Sequence, residues 1–209
     1  MKLYSHQDLE IYVSPFFPWE KKENGLRIKT GDVFRPTHVT TRLCLELIID
    51  LVRKIPHRSF LDIGCGSGIF ALVAAKYGIP LVVGVDISFK AIQISRTNAL
   101  ENQLFQAVHW INGSSECISG RFDLIVANLP FTVLSRLLGN LAELLNLHGH
   151  LVASGFQDTE FRKILAFAKK AGLVFEKSLS ADLTFFDIPP SGSFTWVAAS
   201  FGKINDSCN

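Results

Sequence analysis

The sequence predicts an α/β fold with a doubly wound, seven-stranded, mostly parallel sheet whose last strand is antiparallel. From residue 59 onward, apolar segments of strand length alternate with amphipathic segments of helix length. The first of these strands runs into a glycine-rich turn, FLDIGCGSG at 60–68, where a strand can turn sharply into a helix. The last two strands are joined by TFFDIPPSGS, which is not helical, so the final strand should return antiparallel.

The elements follow in order along the chain. The segment PTHVTTRLCLELIIDLVRKI has the spacing of one apolar helix face, at Leu43, Leu47, Ile48 and Leu51. Seven strands are predicted after it, at 59–63, 80–86, 107–112, 122–127, 148–154, 173–180 and 194–201. Four helices are predicted between them, at 67–77, 88–102, 132–146 and 157–171. This alternation places helices on both faces of the sheet.

The chain divides into an N-terminal arm at residues 1–33 and a single domain at residues 34–209. Two prolines and clustered aromatic residues in YVSPFFPWEKKENG argue against a regular element within residues 1–31. The arm then either packs over the domain or also helps to form a substrate rim. With 209 residues, 48% of them hydrophobic, the chain is long enough for one well-packed domain.

Charge, cysteine usage and hydropathy exclude several classes of protein. A formal net charge of +2 does not favour nucleic-acid binding, although it does not exclude it. No C-x-x-C pair occurs among the four cysteines, so neither a metal site nor a disulfide framework is expected. No apolar stretch has the form of a signal peptide or a membrane span. A cytoplasmic protein without a membrane partner is therefore expected.

The glycine-rich turn and a downstream carboxylate indicate a nucleoside-containing ligand. Gly64, Gly66 and Gly68 allow the backbone to approach a ligand closely. The second strand ends at Asp86, whose carboxylate can accept hydrogen bonds from the two hydroxyls of a ribose. Ile87 follows and is placed to flank an adenine ring. A turn with only a structural role would leave the acid at the end of each strand unexplained.

The spacing of the glycines argues against a dinucleotide. Dinucleotide fingerprints read G-x-G-x-x-G, whereas this turn reads G-x-G-x-G. Asp62, two residues before the first glycine, would repel a pyrophosphate but can help to hold a cationic amino-acid group, directly or through water. Cys65 lies inside the turn, where only a small side chain fits, and we interpret it as a packing residue without a redox role.

The pattern D-x-G-x-G-x-G, with an acid ending the next strand, resembles motifs I and II of class I S-adenosylmethionine (SAM) methyltransferases. The resemblance implies a Rossmann-like fold and SAM as the cofactor. The residues that would hold it here are Asp62, Gly64, Cys65, Gly66, Gly68, Asp86 and Ile87. Asn112, Gly113 and Ser114 lie after the third strand, where family members often place an acid against adenine. A backbone N–H would serve instead, or Asn112-Gly113 forms only a turn.

The segment VANLPF after the fourth strand resembles the N-[L/I/P]-P-[Y/F] motif of methyltransferases that modify exocyclic adenine nitrogens or glutamine amides. On this resemblance Asn128, Pro130 and Phe131 are the candidate catalytic residues, and Asn128 also contacts the cofactor. An asparagine oxygen can accept a hydrogen bond from an amino group and favour its developing positive charge. The alternative is a strand-ending turn in which Pro130 blocks the next ladder bond.

A second resemblance lies upstream of the first strand. RPTHVTTRLCLELI is similar to the GTGTHPTTxLCLExL segment of the ribosomal protein L11 methyltransferase family, and VAN and a late strand after F…AGL also recur. By position, Thr37 would meet the amino-acid end of the cofactor, and His38 either faces the substrate or is structural. About 30 residues stand where the family has a separate N-terminal recognition domain. The segment itself departs from the family at Phe34, Arg35, Pro36 and Val39.

Three functions from different classes remain open. The first is SAM-dependent N-methylation of a protein substrate, a ribosomal protein being one candidate. The second is methylation of nucleic acid at N6 of adenine, with Phe131 stacking on a flipped base, or of a glutamine amide. The third is SAM binding without catalysis. The methyl acceptor, the number of methyl groups transferred and the oligomeric state have no signature in the sequence.

Overall fold

The computed structural model describes residues 2–6, 9–14, 25–30, 35–183 and 195–203. The strands in these ranges are β1 Lys2–His6, β2 Leu9–Ser14, β3 Gly25–Lys29, β4 Ser59–Ile63, β5 Leu81–Asp86, β6 His109–Asn112, β7 Phe122–Asn128, β8 Leu145–Gln157, β9 Leu173–Asp182 and β10 Thr195–Lys203. The α-helices are α1 Val39–Lys54, α2 Ile69–Lys76, α3 Phe89–Glu101, α4 Phe131–Glu143 and α5 Asp158–Lys170. Short 3₁₀ turns lie at Phe105–Ala107 and Ser115–Cys117.

The main sheet has seven strands in the order β6-β5-β4-β7-β8-β10-β9. The pairs β4–β5, β5–β6, β4–β7 and β7–β8 are parallel, and β10 is antiparallel to both β8 and β9. The predicted fold class, including the antiparallel last strand, is therefore confirmed. Strand order reverses at β4, so the carboxyl ends of β4, β5 and β7 form the crevice where such sheets bind ligands.

Helices cover both faces of this sheet. Neighbouring side chains on β4 point to opposite faces, and Phe60 and Leu61 are both fully buried. Phe60 packs in a core with residues of α1 and α2, whereas Leu61 packs in a second core with residues of α4 and α5. The central strands are buried on both sides and consequently read as continuous apolar runs in the sequence.

The prediction that residues 1–31 contain no regular element is wrong. β1, β2 and β3 form a separate three-stranded sheet, in which β1–β2 is antiparallel and β2–β3 is parallel. Alternate residues of β2 and β3 are buried in the same core as α1 and α2. The period-two pattern of Leu9, Ile11 and Val13 was the signal for a strand. Both prolines of YVSPFFPWEKKENG lie between β2 and β3, outside the described residues.

The predicted element boundaries agree with the structure to within about three residues, and β8 differs by that much at both ends. Residues 148–154 were predicted for this strand, but it runs from Leu145 to Gln157. His148 has a left-handed φ of 61°, and Gly149 follows it. These two residues interrupt the strand pattern in the sequence, so the part of β8 before them was not predicted. The joining segment TFFDIPPSGS, predicted not to be a helix, lies outside the described residues.

Candidate active site

A cavity of about 680 Å³ lies at the carboxyl ends of the central strands. Of the residues predicted for the site, its lining includes Gly64, Gly66, Asp86, Ile87, Gly113, Ser114, Asn128 and Pro130. The other predicted residues, which are not part of the described lining, are Thr37, Asp62, Cys65, Gly68, Asn112 and Phe131. The fold thus brings four segments that are distant in sequence to one site: the turn after β4, the end of β5, the loop after β6 and the end of β7.

Asp86, the last residue of β5, joins that strand to the glycine-rich turn. Its Oδ2 accepts a hydrogen bond from the Gly66 N–H at 3.0 Å, and its Oδ1 accepts one from the Ser88 N–H at 2.8 Å. Each carboxylate oxygen has a further lone pair, so both can still accept from ligand hydroxyls. Ile87 lies beside it on the cavity wall with 79% of its surface exposed, a large apolar surface available to a flat ring.

Asp62 is buried beneath the turn. Its Oδ2 accepts a hydrogen bond from the Ala71 N–H of α2 at 3.2 Å, whereas its Oδ1 is buried and has no hydrogen-bond partner among the described residues. Burial raises the pKa of Asp62 to about 8, and the charge of Asp86 adds to this effect. An unpaired buried carboxyl oxygen is costly, so it favours a ligand or water that can donate a hydrogen bond to it.

Cys65 and Gly68 support the shape of the turn. Gly68 has a φ of +78°, and a side chain there would collide with the Trp110 ring, 2.7 Å from the position of its Cβ. The Cys65 Sγ lies 3.6 Å from the Ser95 Oγ, and burial raises the pKa of the thiol well above its usual range. A protonated, buried thiol fits a packing role.

The segment after β6 supplies an acid that the sequence analysis missed. The Asn112 side chain donates hydrogen bonds to the backbone oxygens of Asp86 and Ile87 at 2.9 and 3.1 Å, so it holds the loop after β5 in place. The 3₁₀ turn at Ser115–Cys117 then brings Glu116 to the cavity wall. The sequence analysis considered only Asn112, Gly113 and Ser114, none of which is an acid, and Glu116 lies two residues beyond them.

Asn128 ends β7 at the cavity. Its Oδ1 is buried and makes no hydrogen bond within the part of the chain that the structure describes. The following residue, Leu129, donates its N–H to the Ser154 O at 3.0 Å, which fixes the loop against β8. Gly155 has a φ of +94°, and a Cβ there would overlap the Leu129 backbone. Gly155, which the sequence analysis missed, therefore allows β8 to approach the Asn128 loop closely.

Phe131 and Thr37 are two of the predicted residues that do not line the cavity. Phe131 packs against the core beneath α4, and the Lys163 Nζ lies 5.9 Å from its ring centroid. Thr37 is exposed outside the described lining. Its neighbour His38 lines the cavity instead, with its ring edge against Trp196 at a centroid distance of 4.8 Å. Trp196 lies on β10, 158 residues further along the chain than His38, and no local pattern indicated it.

Comparison with known proteins identifies the family. Residues 18–182 match the family described as ribosomal protein L11 methyltransferase (PrmA).

The chain belongs to the ribosomal protein L11 methyltransferase family.

The predicted resemblance to that family is thus confirmed. A ribosomal protein L11 methyltransferase from Methylobacillus flagellatus is 42% identical over 131 residues, which are 63% of this chain and 41% of that protein. One from Helicobacter pylori is 37% identical over 168 residues, or 76% of this chain and 49% of that protein. The chain therefore spans less than half the length of these two relatives.

A solved structure of an L11 methylase shares the fold. The ribosomal protein L11 methylase from Lactobacillus delbrueckii superposes with a TM-score of 0.77, at 24% identity and with 97% of both chains covered. Within the described ranges, no helix is both long enough and apolar enough to span a membrane. The same ranges contain no group of three or more His, Cys, Asp or Glu side chains that could hold a metal ion.

Proposed function

We propose that this member of the L11 methyltransferase family is a SAM-dependent N-methyltransferase that acts on a protein, with ribosomal protein L11 as the first candidate substrate. The observation that carries the proposal is the unpaired Oδ1 of Asn128, a buried atom of a residue that lines the same cavity as Asp86. An acceptor oxygen that is already desolvated is suited to an amino group that gains positive charge. Such a substrate would be met in the cytoplasm.

The residues of the cavity, together with Asp62 buried beneath the glycine-rich turn, are suited to SAM. Asp86 is suited to the ribose hydroxyls, Ile87 to the face of the adenine, and Glu116 to the adenine amino group. Asp62 Oδ1, which lacks a donor among the described residues, is suited to the amino-acid end, directly or through water. When bound, SAM supplies a methyl group activated by its sulfonium.

On the acceptor side, the protein positions an amine and excludes water. Asn128 Oδ1 would accept a hydrogen bond from the attacking nitrogen and align its lone pair. Leu129, Pro130 and Val133 line the adjoining wall and are apolar, which favours an uncharged amine over an ammonium. A lysine, with a reference pKa of about 10.4, has to lose its proton before it can attack.

His38 is better suited to donate than to act as a base. Its Nδ1 accepts a hydrogen bond from the Thr40 N–H at 3.3 Å, which caps α1. Burial lowers the pKa of His38, so the ring is neutral near pH 7. In a neutral ring whose Nδ1 accepts, Nε2 carries the proton. His38 therefore caps α1 through Nδ1, and its Nε2–H is the group that can donate a hydrogen bond.

The test is methyl transfer to defined acceptors. Purified protein is incubated with methyl-labelled SAM and either ribosomal protein L11 or total RNA from the source cell. We expect label in the protein and none in the RNA, and a loss of transfer in Asn128→Ala. Label in RNA alone would support the base-flipping alternative. No label in L11, in RNA or in any protein of a lysate from the source cell, with SAM bound, would support the non-catalytic alternative.

A further inference from the structure

Asn98 on α3 and Asn102, which directly follows that helix, hold the outer edge of β3. Asn102 accepts from the Arg27 N–H at 2.8 Å through Oδ1 and donates to the Arg27 O at 2.6 Å through Nδ2. Asn98 accepts from the Lys29 N–H at 2.8 Å and donates to the Lys29 O at 3.2 Å in the same way. One helix turn and two strand residues both span about 6 Å, so the two pairs are in register. The helix takes the place of a neighbouring strand.

Asn98 differs from Asn102 in its third hydrogen bond. Asn98 Nδ2 also donates to the Ser67 O of the glycine-rich turn at 2.9 Å, and the side chain is fully buried. The third hydrogen bond of Asn102 goes to the Asn98 O at 2.7 Å, within α3 itself. Ser95, also on α3, donates to the Gly66 O at 3.0 Å and makes no hydrogen bond to the described residues of β3. Of these three side chains, only Asn98 bonds both the turn and the N-terminal sheet.

The carbonyl that Asn98 holds lies next to the binding surface. Ser67 follows Gly66, which lines the cavity and donates its N–H to the Asp86 carboxylate. A shift of the Ser67 carbonyl therefore moves the backbone that orients Asp86. We propose that Asn98 is a positioning residue that couples docking of the N-terminal sheet to cofactor binding at the glycine-rich turn. The ligand side of this inference rests on the proposed function.

The coupling has to act in both directions. If an ordered β3 holds Asn98 in the orientation that restrains Ser67, then a cofactor that needs an ordered turn also stabilises the docked β3. Cofactor binding should therefore slow amide exchange in residues 25–29, although those residues do not line the cavity.

The chain offers a matched pair of variants for the test. Asn98→Ala and Asn102→Ala each remove one side chain that makes three hydrogen bonds, and both side chains bind the same strand from α3 or from the residue that caps it. We expect both to speed amide exchange in β3. Only Asn98→Ala should weaken binding of S-adenosylhomocysteine in calorimetry, by about five- to twentyfold, the value of one hydrogen bond to a buried carbonyl. In steady-state assays, the KM for SAM should rise while kcat changes little.

A ligand-free measurement separates this inference from the proposed function. Without any ligand, amides of residues 64–68 should exchange faster in Asn98→Ala than in the wild type or in Asn102→Ala. Asn98→Asp keeps an acceptor for the Lys29 N–H but loses the donor to Ser67, and it should reproduce the effect on the turn. It also serves as the second variant if Asn98→Ala does not fold.

The outcomes are distinct. If the wild type binds no SAM analogue but the turn still loosens only in the Asn98 variants, the proposed function fails while the positioning role of Asn98 stands. Equal weakening of S-adenosylhomocysteine by folded Asn98→Ala and Asn102→Ala would overturn the inference, because general loosening of β3 would then explain both. Unchanged exchange at residues 64–68 in both Asn98 variants would overturn it as well.

Discussion

The Gly66 N–H donates a hydrogen bond to the Asp86 Oδ2 at 3.0 Å, and this bond joins the turn after β4 to the end of β5. The Ser88 N–H occupies the other oxygen of Asp86 at 2.8 Å. Asp86 therefore shapes the turn and presents acceptor oxygens to the cavity at the same time. Two segments that the sequence separates by 20 residues become one binding surface through a single carboxylate.

Replacing Asp86 should weaken cofactor binding. Asp86→Ala removes the acceptor proposed for the ribose hydroxyls and also frees the Gly66 N–H. We expect SAM affinity to fall by roughly ten- to a hundredfold, which corresponds to about 1–3 kcal/mol. Isothermal calorimetry with S-adenosylhomocysteine measures the change.

The matched control for this prediction is Asp86→Asn, which keeps one acceptor oxygen in nearly the same shape. It should bind more tightly than Asp86→Ala and less tightly than the wild type. An unchanged affinity in folded Asp86→Ala would exclude the ribose role.

The parts of the fold and site that could be predicted are those with local sequence signals. The strand, glycine turn and helix around Gly66, and the acid that ends the next strand, are contiguous patterns, so their positions followed from the sequence. Asn128 was found in the same way, from the motif at the end of β7.

The remaining features depend on contacts between distant segments. Gly155 is required because the Leu129 backbone passes against it, and Trp196 reaches the cavity only through the antiparallel pairing of β10. The N-terminal sheet was missed because two prolines outweighed a short alternating pattern. Glu116 was missed because the 3₁₀ turn that brings it to the cavity wall is not encoded by a distinctive motif.

Cofactor binding should release a proton from Asp62. Its pKa is about 8, so the buried carboxyl is mostly protonated at neutral pH in the free protein. A cationic amino group bound near it favours the carboxylate and lowers that pKa. Affinity for S-adenosylhomocysteine should therefore rise with pH up to about 8, by at most tenfold per pH unit. Calorimetry in two buffers of different ionisation enthalpy counts the released protons, and Asp62→Asn should release fewer.

The same carboxyl should make stability depend on pH. Because the folded-state pKa of Asp62 lies above its ordinary value of 3.8, its contribution to stability is complete below pH 3.8. That contribution is lost as the pH rises through about 8. The difference in melting temperature between the wild type and Asp62→Asn should therefore shift against the wild type from pH 5 to pH 8. A difference that does not depend on pH would contradict the raised pKa.

Replacing Asn128 should affect turnover more than cofactor binding. Its proposed hydrogen bond is made to the attacking nitrogen, and it becomes strongest as positive charge develops. We expect Asn128→Ala to lower kcat by roughly ten- to a thousandfold, while the affinity for SAM changes little. Single-turnover kinetics with the substrate identified by methyl labelling measures the effect. Full turnover in the variant would mean that the NLPF segment is only a structural turn.

Replacing Gly155 should displace the loop that carries Asn128, because Gly155 packs against the Leu129 backbone. Its φ of +94° is unfavourable for alanine, and the new Cβ would overlap the Leu129 backbone. We expect Gly155→Ala to cost about 2–5 kcal/mol of unfolding free energy, from left-handed strain and overpacking together. Denaturant unfolding measures this cost. Turnover should also fall, because a shift of the Leu129 backbone also displaces Asn128, the residue directly before it.

Gly120→Ala is the control that separates strain from collision. Gly120 also has a left-handed φ, +101°, but no atom lies within 4 Å of the position of its Cβ. Gly120→Ala should therefore lower the unfolding free energy by only about 1–2 kcal/mol, which is the cost of the backbone conformation alone. Activity should persist in this variant, because Gly120 does not line the cavity. Equal losses of stability and activity at the two positions would mean that the close approach of β8 to Leu129 has no part in shaping the site.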